Sequence, residues 1–504
     1  VASLSRLEAA LDNAESYSEW RDIAQALDES QGLDYWRAIE RSQLYDFATI
    51  RDRLDQMREL RNDGNGPGLL YVLNEGIHGN TAGIGNMALY GRARSGTKFL
   101  VEEYIEELVQ CLRYVASDQL NNISLADKHE FLQRASHCVG RSALMLSGSG
   151  SLFYFHLGVV KALWEQDMLP PIMSGASGGA LVSALVGTHT RDELTAIFQP
   201  EYIRFEVEKE AGILSRFSLF RSSPLSQKAI RDLFDRLIPD VSFHEAYQRT
   251  GLNINISVAP AERHQNSRLL NAVASPNVMI REALLASSAF PGVFPPVTLM
   301  ARNQKGERQA FLPTRKWIDG SVSDDLPIRR VSRLYGVNHF IVSQTNPVAL
   351  PFVEEEKVQR GWGIVRRAFR NTTREWLLAG TKLVAGPGSF RPGVAQLFRM
   401  TSSVLAQTYT GDINILPPNR FHNPLRLLST RSTEEIMDMI QAGERATWPK
   451  IEAIRLQTRV SRELDRLLSE LERSLVDRAS ASTNASTNAS ARRPPAAKPM
   501  SHMA

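Results

Sequence analysis

Two neighbouring passages constrain the fold more than any other feature of the chain. "LMLSGSGSLFYFHLGVVKALW" runs from Leu144 to Trp164, and "IMSGASGGALVSALVG" runs from Ile172 to Gly187. Each reads as a short apolar strand, a glycine-rich bend and an apolar helix. Further short β-rich runs alternate with helical stretches: "LNINISVA", "RLLNAVA" and "HFIVSQ". Strands alternating with helices predict an α/β architecture, a mainly parallel sheet with helices on both faces.

The flanks have a different texture. Residues 1–139 carry apolar positions at three- and four-residue steps, as in "YDFATIRDRLDQMRELRND", and read as a helical N-terminal domain. The α/β pattern occupies 140–346. Residues 347–476 read as a mostly helical extension. Residues 477–504 read as a disordered tail, because beyond Asp477 the stretch "RASASTNASTNASARRPPAAKPMSHMA" holds no acidic and almost no large apolar side chain.

Composition excludes several classes. Hydrophobic residues make up 43% and charged residues 23%, ordinary for a folded domain. A net charge of +4 over 504 residues does not indicate nucleic-acid binding. Two cysteines, Cys111 and Cys138, make neither a metal site nor a disulfide framework. No stretch reaches about 18 uncharged apolar residues, and no secretory leader is visible. The expectation is a cytoplasmic protein that meets any membrane from the side.

The chemistry concentrates in three short motifs. Gly175-Ala176-Ser177-Gly178-Gly179 matches G-x-S-x-G, the tight strand-to-helix elbow that presents a nucleophilic serine. Ser147-Gly148-Ser149-Gly150-Ser151 also ends a strand and opens a helix. It lacks the last glycine of a dinucleotide loop, since Phe153 stands there, but its amides suit an oxyanion hole. In "KWIDGSVSDDLP", Asp319 follows a strand-like run, where a partly desolvated carboxylate could take a proton from the serine. Taken alone, Asp319-Gly320 is an ordinary turn pair. A histidine base is not indicated: His339 falls at the wrong end of a strand, and nothing further marks His422.

Together these motifs resemble the patatin-like phospholipases, and more closely the branch of triacylglycerol lipases with a helical domain of the DUF3336 type ahead of the patatin core. The phrases "SSAFPGVFPPV", "DLPIRRVSRLYGVNHFIVSQTNP" and "QTYTGDINILP" extend the resemblance over nearly the whole chain except the tail. It implies a patatin-like fold and a Ser-Asp dyad that works without histidine. Ser177 would be the nucleophile and Asp319 the base. Gly148, Ser149 and Gly150 would form the oxyanion hole, and Gly175, Gly178 and Gly179 would shape the elbow. It implies no metal and no cofactor. Two departures stand out: Phe153 occupies a position where glycine is common, and no histidine has an aspartate five residues later, so an acyltransferase motif is missing.

The expected activity is release of fatty acids from glycerolipids, most simply triacylglycerol. Phospholipase A or lysophospholipase activity is the enzymatic alternative, and a catalytically silent lipid-surface scaffold is the other. Between Val358 and Leu383, Trp362, Phe369 and Trp376 share one helical face while Arg366, Arg367 and Arg370 crowd the rest. That pattern fits an interfacial helix on a membrane or lipid droplet, or a core-packed helix with a basic outer face.

Overall fold

The computed structural model describes residues 4–120, 122–217, 227–262, 266–346, 349–350, 353, 410–418 and 431–491. Contacts divide the chain into two compact units, each built from separated segments. The first comprises Val1–Tyr45, Gly83–Phe99 and Gly140–Thr458; the second comprises Asp46–Ala82, Leu100–Val139 and Arg459–Ala504.

The second unit is helical. It holds α4 (Phe47–Asn62), α5 (Gly66–Gly76), nearly all of α6 (Phe99–Ala116) and α7 (Leu125–Val139). Ile50, Leu54 and Met57 recur at helical spacing along α4 and are fully buried. Arg61 Nε lies 2.7 Å from Glu107 Oε1, and Arg113 grips both oxygens of Glu463 at 2.9 and 3.0 Å.

The first unit opens with α1 (Leu4–Asn13), α2 (Tyr17–Ser30) and α3 (Leu33–Ala38). Buried Asp28 on α2 accepts hydrogen bonds from the amides of Arg94 and Ser95, both at 2.8 Å. The α/β region then follows: β1 (Arg141–Leu146), α8 (Phe153–Glu165), β2 (Ile172–Gly175) and α9 (Gly178–Thr188). Next come α10 (Arg191–Ile197), α11 (Pro200–Phe217), α12 (Gln227–Leu237), α13 (Phe243–Thr250), β3 (Asn253–Pro260) and β4 (Arg268–Leu270). After them lie α14 (Ile280–Ser287), a small hairpin of β5 (Met300–Arg302) and β6 (Arg308–Ala310), β7 (Trp317–Asp319) and α15 (Ser321–Asp324). α16 (Ile328–Tyr335), β8 (Val337–Ser343), β9 (Ile413–Ile415) and α17 (Thr433–Ala491) complete the chain order, α17 belonging to the first unit only as far as Thr458.

The sheet runs β4-β3-β2-β1-β8-β9, with β7 also paired to β3. The pairings of β1 with β2 and β8, of β2 with β3 and of β8 with β9 are parallel; β4 and β7 run antiparallel to β3. β1 and β2 are buried almost throughout, as strands covered on both faces must be. Register does the positioning. Leu146 pairs with Gly175 on one side and Ser343 on the other, so β1, β2 and β8 end level. The loops after them therefore emerge together at the carboxyl edge, where open parallel sheets place their sites.

Two features depart from the sequence reading. The extension beyond 346, expected to be mostly helical, supplies strand β9 to the sheet. The final helix continues past Asp477 to Ala491, into the stretch expected to be disordered. No glycine or proline interrupts that stretch before Pro494. The segment Val358–Leu383, with Trp362, Arg366, Arg367, Phe369, Arg370 and Trp376, lies outside the described residues. Among the described residues no helix is long and apolar enough to cross a membrane.

Candidate active site

Ser177 sits between β2 and α9 with φ 51° and ψ −120°, a backbone conformation strained for any residue with a Cβ. Three neighbours hold the bend. The Ser177 amide donates to Ser287 Oγ at 2.9 Å, and the Ser287 hydroxyl donates to the Ser257 carbonyl at 2.8 Å. The Ser177 carbonyl accepts from the amide of Ala180 at 3.0 Å and so starts the helix.

The elbow glycines are needed for close approach. A Cβ on Gly175 would stand 2.3 Å from the Gly179 carbonyl, and one on Gly179 would stand 2.4 Å from the Leu146 carbonyl. A Cβ on Gly178 would meet Ser149 Oγ at 2.2 Å. The elbow is thus pressed against the end of β1 and the loop that follows it. That explains why two glycine-rich bends lie side by side.

Asp319 ends β7, where it pairs with Val258 of β3, and its amide donates to the Ala289 carbonyl at 3.1 Å. The side chain is 2% exposed. Its carboxylate accepts from the Ser321 amide at 2.8 Å, and the Ser177 side chain lies near enough to favour its ionised form. Burial pushes its pKa up to about 6, and Ser321 and Ser177 pull only partly the other way.

The loop after β1 differs from expectation at one position. The Gly148 amide is already engaged, donating to Asp325 Oδ1 at 2.6 Å. The amides of Ser149, Gly150 and Gly178 meet no acceptor among the described residues. Gly150 adopts φ +52°, which turns the chain into the helix ahead of α8. Phe153 follows, its Cβ 2.9 Å from where a Cβ on Gly178 would lie.

Several residues that sequence reasoning did not single out support this loop. Asp325, fully buried, binds Gly148 through one oxygen and accepts from Asn346 Nδ2 at 2.9 Å through the other. Burial pushes its pKa up to about 7, against the bonds from Gly148 and Asn346. Ser147 Oγ accepts from the amides of Thr345 at 2.8 Å and Asn346 at 3.2 Å. His156 Nε2 lies 3.0 Å from the Ser147 carbonyl, which can only accept, so Nε2 carries the hydrogen. Its Nδ1 then accepts from Ser343 Oγ at 2.7 Å. Burial lowers the His156 pKa to about 4, so this histidine is neutral and structural. The only hint in the sequence is the close run of acids in "DGSVSDD"; Asp325 and Gly148 are 177 positions apart.

His339, set aside as a base, lies near the start of β8 and bonds Ser142 and Gln457 at 2.9 Å each, away from the carboxyl edge. His422 lies outside the described residues.

Known proteins resemble this chain over most of its length. Residues 144–331 match the family described as patatin-like phospholipase, and residues 2–137 match a domain of unknown function, DUF3336. Triacylglycerol lipase ptl2 of Schizosaccharomyces pombe is 32% identical over 480 residues, covering 92% of this chain and 75% of that protein. The chain belongs to the patatin-like phospholipase family. Triacylglycerol lipase 4 of Saccharomyces cerevisiae is 32% identical over 485 residues, 91% of this chain and 52% of that protein. A patatin-like phospholipase domain-containing protein of Debaryomyces hansenii is 34% identical over 490 residues, 92% of this chain and 61% of that protein. The chain thus spans between half and two thirds of the length of these last two relatives.

Proposed function

We propose that this chain hydrolyses ester bonds of glycerolipids through a Ser177–Asp319 dyad, with triacylglycerol as its preferred substrate. One observation carries the reading: a buried carboxylate lies beside a serine that a strained elbow presents next to amides with no acceptor among the described residues. Ser177 Oγ attacks the ester carbonyl while its proton passes to Asp319. The amides of Ser149 and Gly150 hold the oxyanion. Asp319 returns the proton to the departing alcohol, leaving an acyl-enzyme. Water then attacks, giving its proton to Asp319; the intermediate collapses as Asp319 returns that proton to Ser177 Oγ, and the fatty acid leaves.

Two observations support a lipid substrate. Two of the relatives are named triacylglycerol lipases. A cleft of about 110 Å³ begins at Phe153, next to the elbow, and follows α9 through Leu181 and Leu185 between α8 and α11. Its walls are mainly apolar, with Leu157, Ile203 and Val207 facing those leucines, and it has room for a few methylene groups. We further propose that the protein reaches its substrate from the side of a membrane or droplet.

The test is fatty-acid release from triacylglycerol emulsions and from phosphatidylcholine vesicles, with Ser177→Ala alongside. The expected result is release from triacylglycerol that falls by at least about 10⁴-fold in the variant. Serine-dependent release from phospholipid alone would move the assignment to phospholipase. No serine-dependent release from either would refute the reading.

A further inference from the structure

The loop that carries the oxyanion donors needs something to hold it. Glycine amides are effective donors only when the backbone is fixed in advance, because the loop must not reorganise as charge develops. Gly148 and Gly150 have no side chains to anchor themselves, and Ser149 Oγ makes only a long 3.5 Å contact with the Gly150 carbonyl. The anchoring therefore has to come from outside the loop.

It comes from two places. The first grip is on Ser147: the amides of Thr345 and Asn346, in the turn after β8, donate to its Oγ, and His156 of α8 donates to its carbonyl. The second grip is the carboxylate of Asp325. Its Oδ1 takes the Gly148 amide at 2.6 Å and its Oδ2 takes Asn346 Nδ2 at 2.9 Å. It joins the loop to the same turn after β8. Gly148 is packed tightly at this point, since a Cβ there would lie 2.8 Å from Ser321 Cβ. A carboxylate with no exposed surface is costly to bury, and this one lies outside the dyad.

We propose that Asp325 is a positioning residue for acyl transfer: by fixing the Gly148 amide against Asn346 it aims the next two amides, Ser149 and Gly150, at the reacting carbonyl. The proposal rests on the Ser177–Asp319 reading above. Asp325 touches no substrate in this scheme. Its requirement is for an acceptor at Oδ1, not for a negative charge. That distinction separates it from Asp319, which must be a base.

The test compares three variants by kcat and KM on a soluble p-nitrophenyl ester, with Ser177→Ala as control and a thermal melt to verify folding. Asp325→Ala removes the acceptor for Gly148 and should lower kcat about 100-fold while KM stays within about 3-fold. Asp325→Asn keeps a carbonyl oxygen for Gly148, and its amide can pair with Asn346 if that side chain turns over. It should stay within about 10-fold of wild type. If Asp325→Ala does not fold, Asn346→Ala serves in its place: it keeps the Gly148 bond, loosens the carboxylate, and should lower kcat about 10-fold with KM unchanged. The proposal is overturned if Asp325→Ala keeps kcat within about 3-fold, or if Asp325→Asn falls as far as Asp325→Ala. Unchanged kcat in Asn346→Ala also overturns it. Wild-type turnover that survives Ser177→Ala would instead remove the dyad reading, and this inference with it.

Discussion

Asp319 carries opposite consequences for stability and for turnover. Its ordinary pKa near 3.8 is raised to about 6 by burial. A carboxyl group with a raised folded pKa binds its proton more tightly in the native state than in the unfolded one. Native stability is therefore greatest below the unfolded value and falls as pH rises from about 4 through about 6. A shift of this size corresponds to roughly 3 kcal/mol above pH 6. Asp319→Asn should thus be more stable than wild type at pH 8, and the two melting temperatures should converge near pH 4. In the proposed dyad turnover runs the other way, because Asp319 must be ionised to accept the serine proton. We expect kcat/KM to rise with pH through about 6 and level off above it. A profile flat between pH 5 and 8 would contradict the assignment of Asp319 as base.

At the scale of elements, the site is a consequence of where strands end. β1, β2 and β8 stop in register at Leu146, Gly175 and Ser343, so three loops meet without any long-range search. The cleft along α9 is the other element-scale feature. Leu181 and Leu185 lie one turn apart on α9, and the cleft continues toward His189. Leu185→Trp should fill its far half. The kcat/KM ratio of a dodecanoyl to a butanoyl ester should fall at least about 10-fold, with the butanoyl rate within about 3-fold of wild type. Equal losses for both esters would mean that the acyl chain lies elsewhere.

The same elements show what a sequence can disclose. "LNINISVA" is long and β-branched, and β3 spans it. The G-x-S-x-G bend is local, so both its neighbours and its strain can be anticipated from a few residues. Asp319 could be picked out because a strand-like run and a glycine bracket it. β9 is only Ile413–Ile415, too short for a periodic signal, and its partner β8 is about 70 residues upstream. Asp325 and Asn346 are invisible for the same reason. Their function lies in contacts with Gly148, and no local pattern encodes a contact over that separation. The expectation that Gly148 donates to the oxyanion fails there too, since only the fold brings an acceptor to it.

At the scale of the whole molecule, the proposed hydrolysis of water-insoluble esters requires contact with an interface. The basic, aromatic stretch between Val358 and Leu383 is the sequence's best candidate for that contact. An Arg366→Glu/Arg367→Glu/Arg370→Glu variant should bind anionic vesicles at least about 10-fold more weakly, with hydrolysis of a soluble ester retained. Unchanged vesicle binding would remove this stretch from the account. All of these expectations depend on Ser177 being a nucleophile activated by Asp319. The most direct test is to treat the protein with a fluorophosphonate and locate the adduct by peptide mass spectrometry. The account predicts one adduct, on Ser177, absent in Ser177→Ala and formed far more slowly in folded Asp319→Asn. An adduct on another serine, or labelling as fast in Asp319→Asn as in wild type, would contradict it.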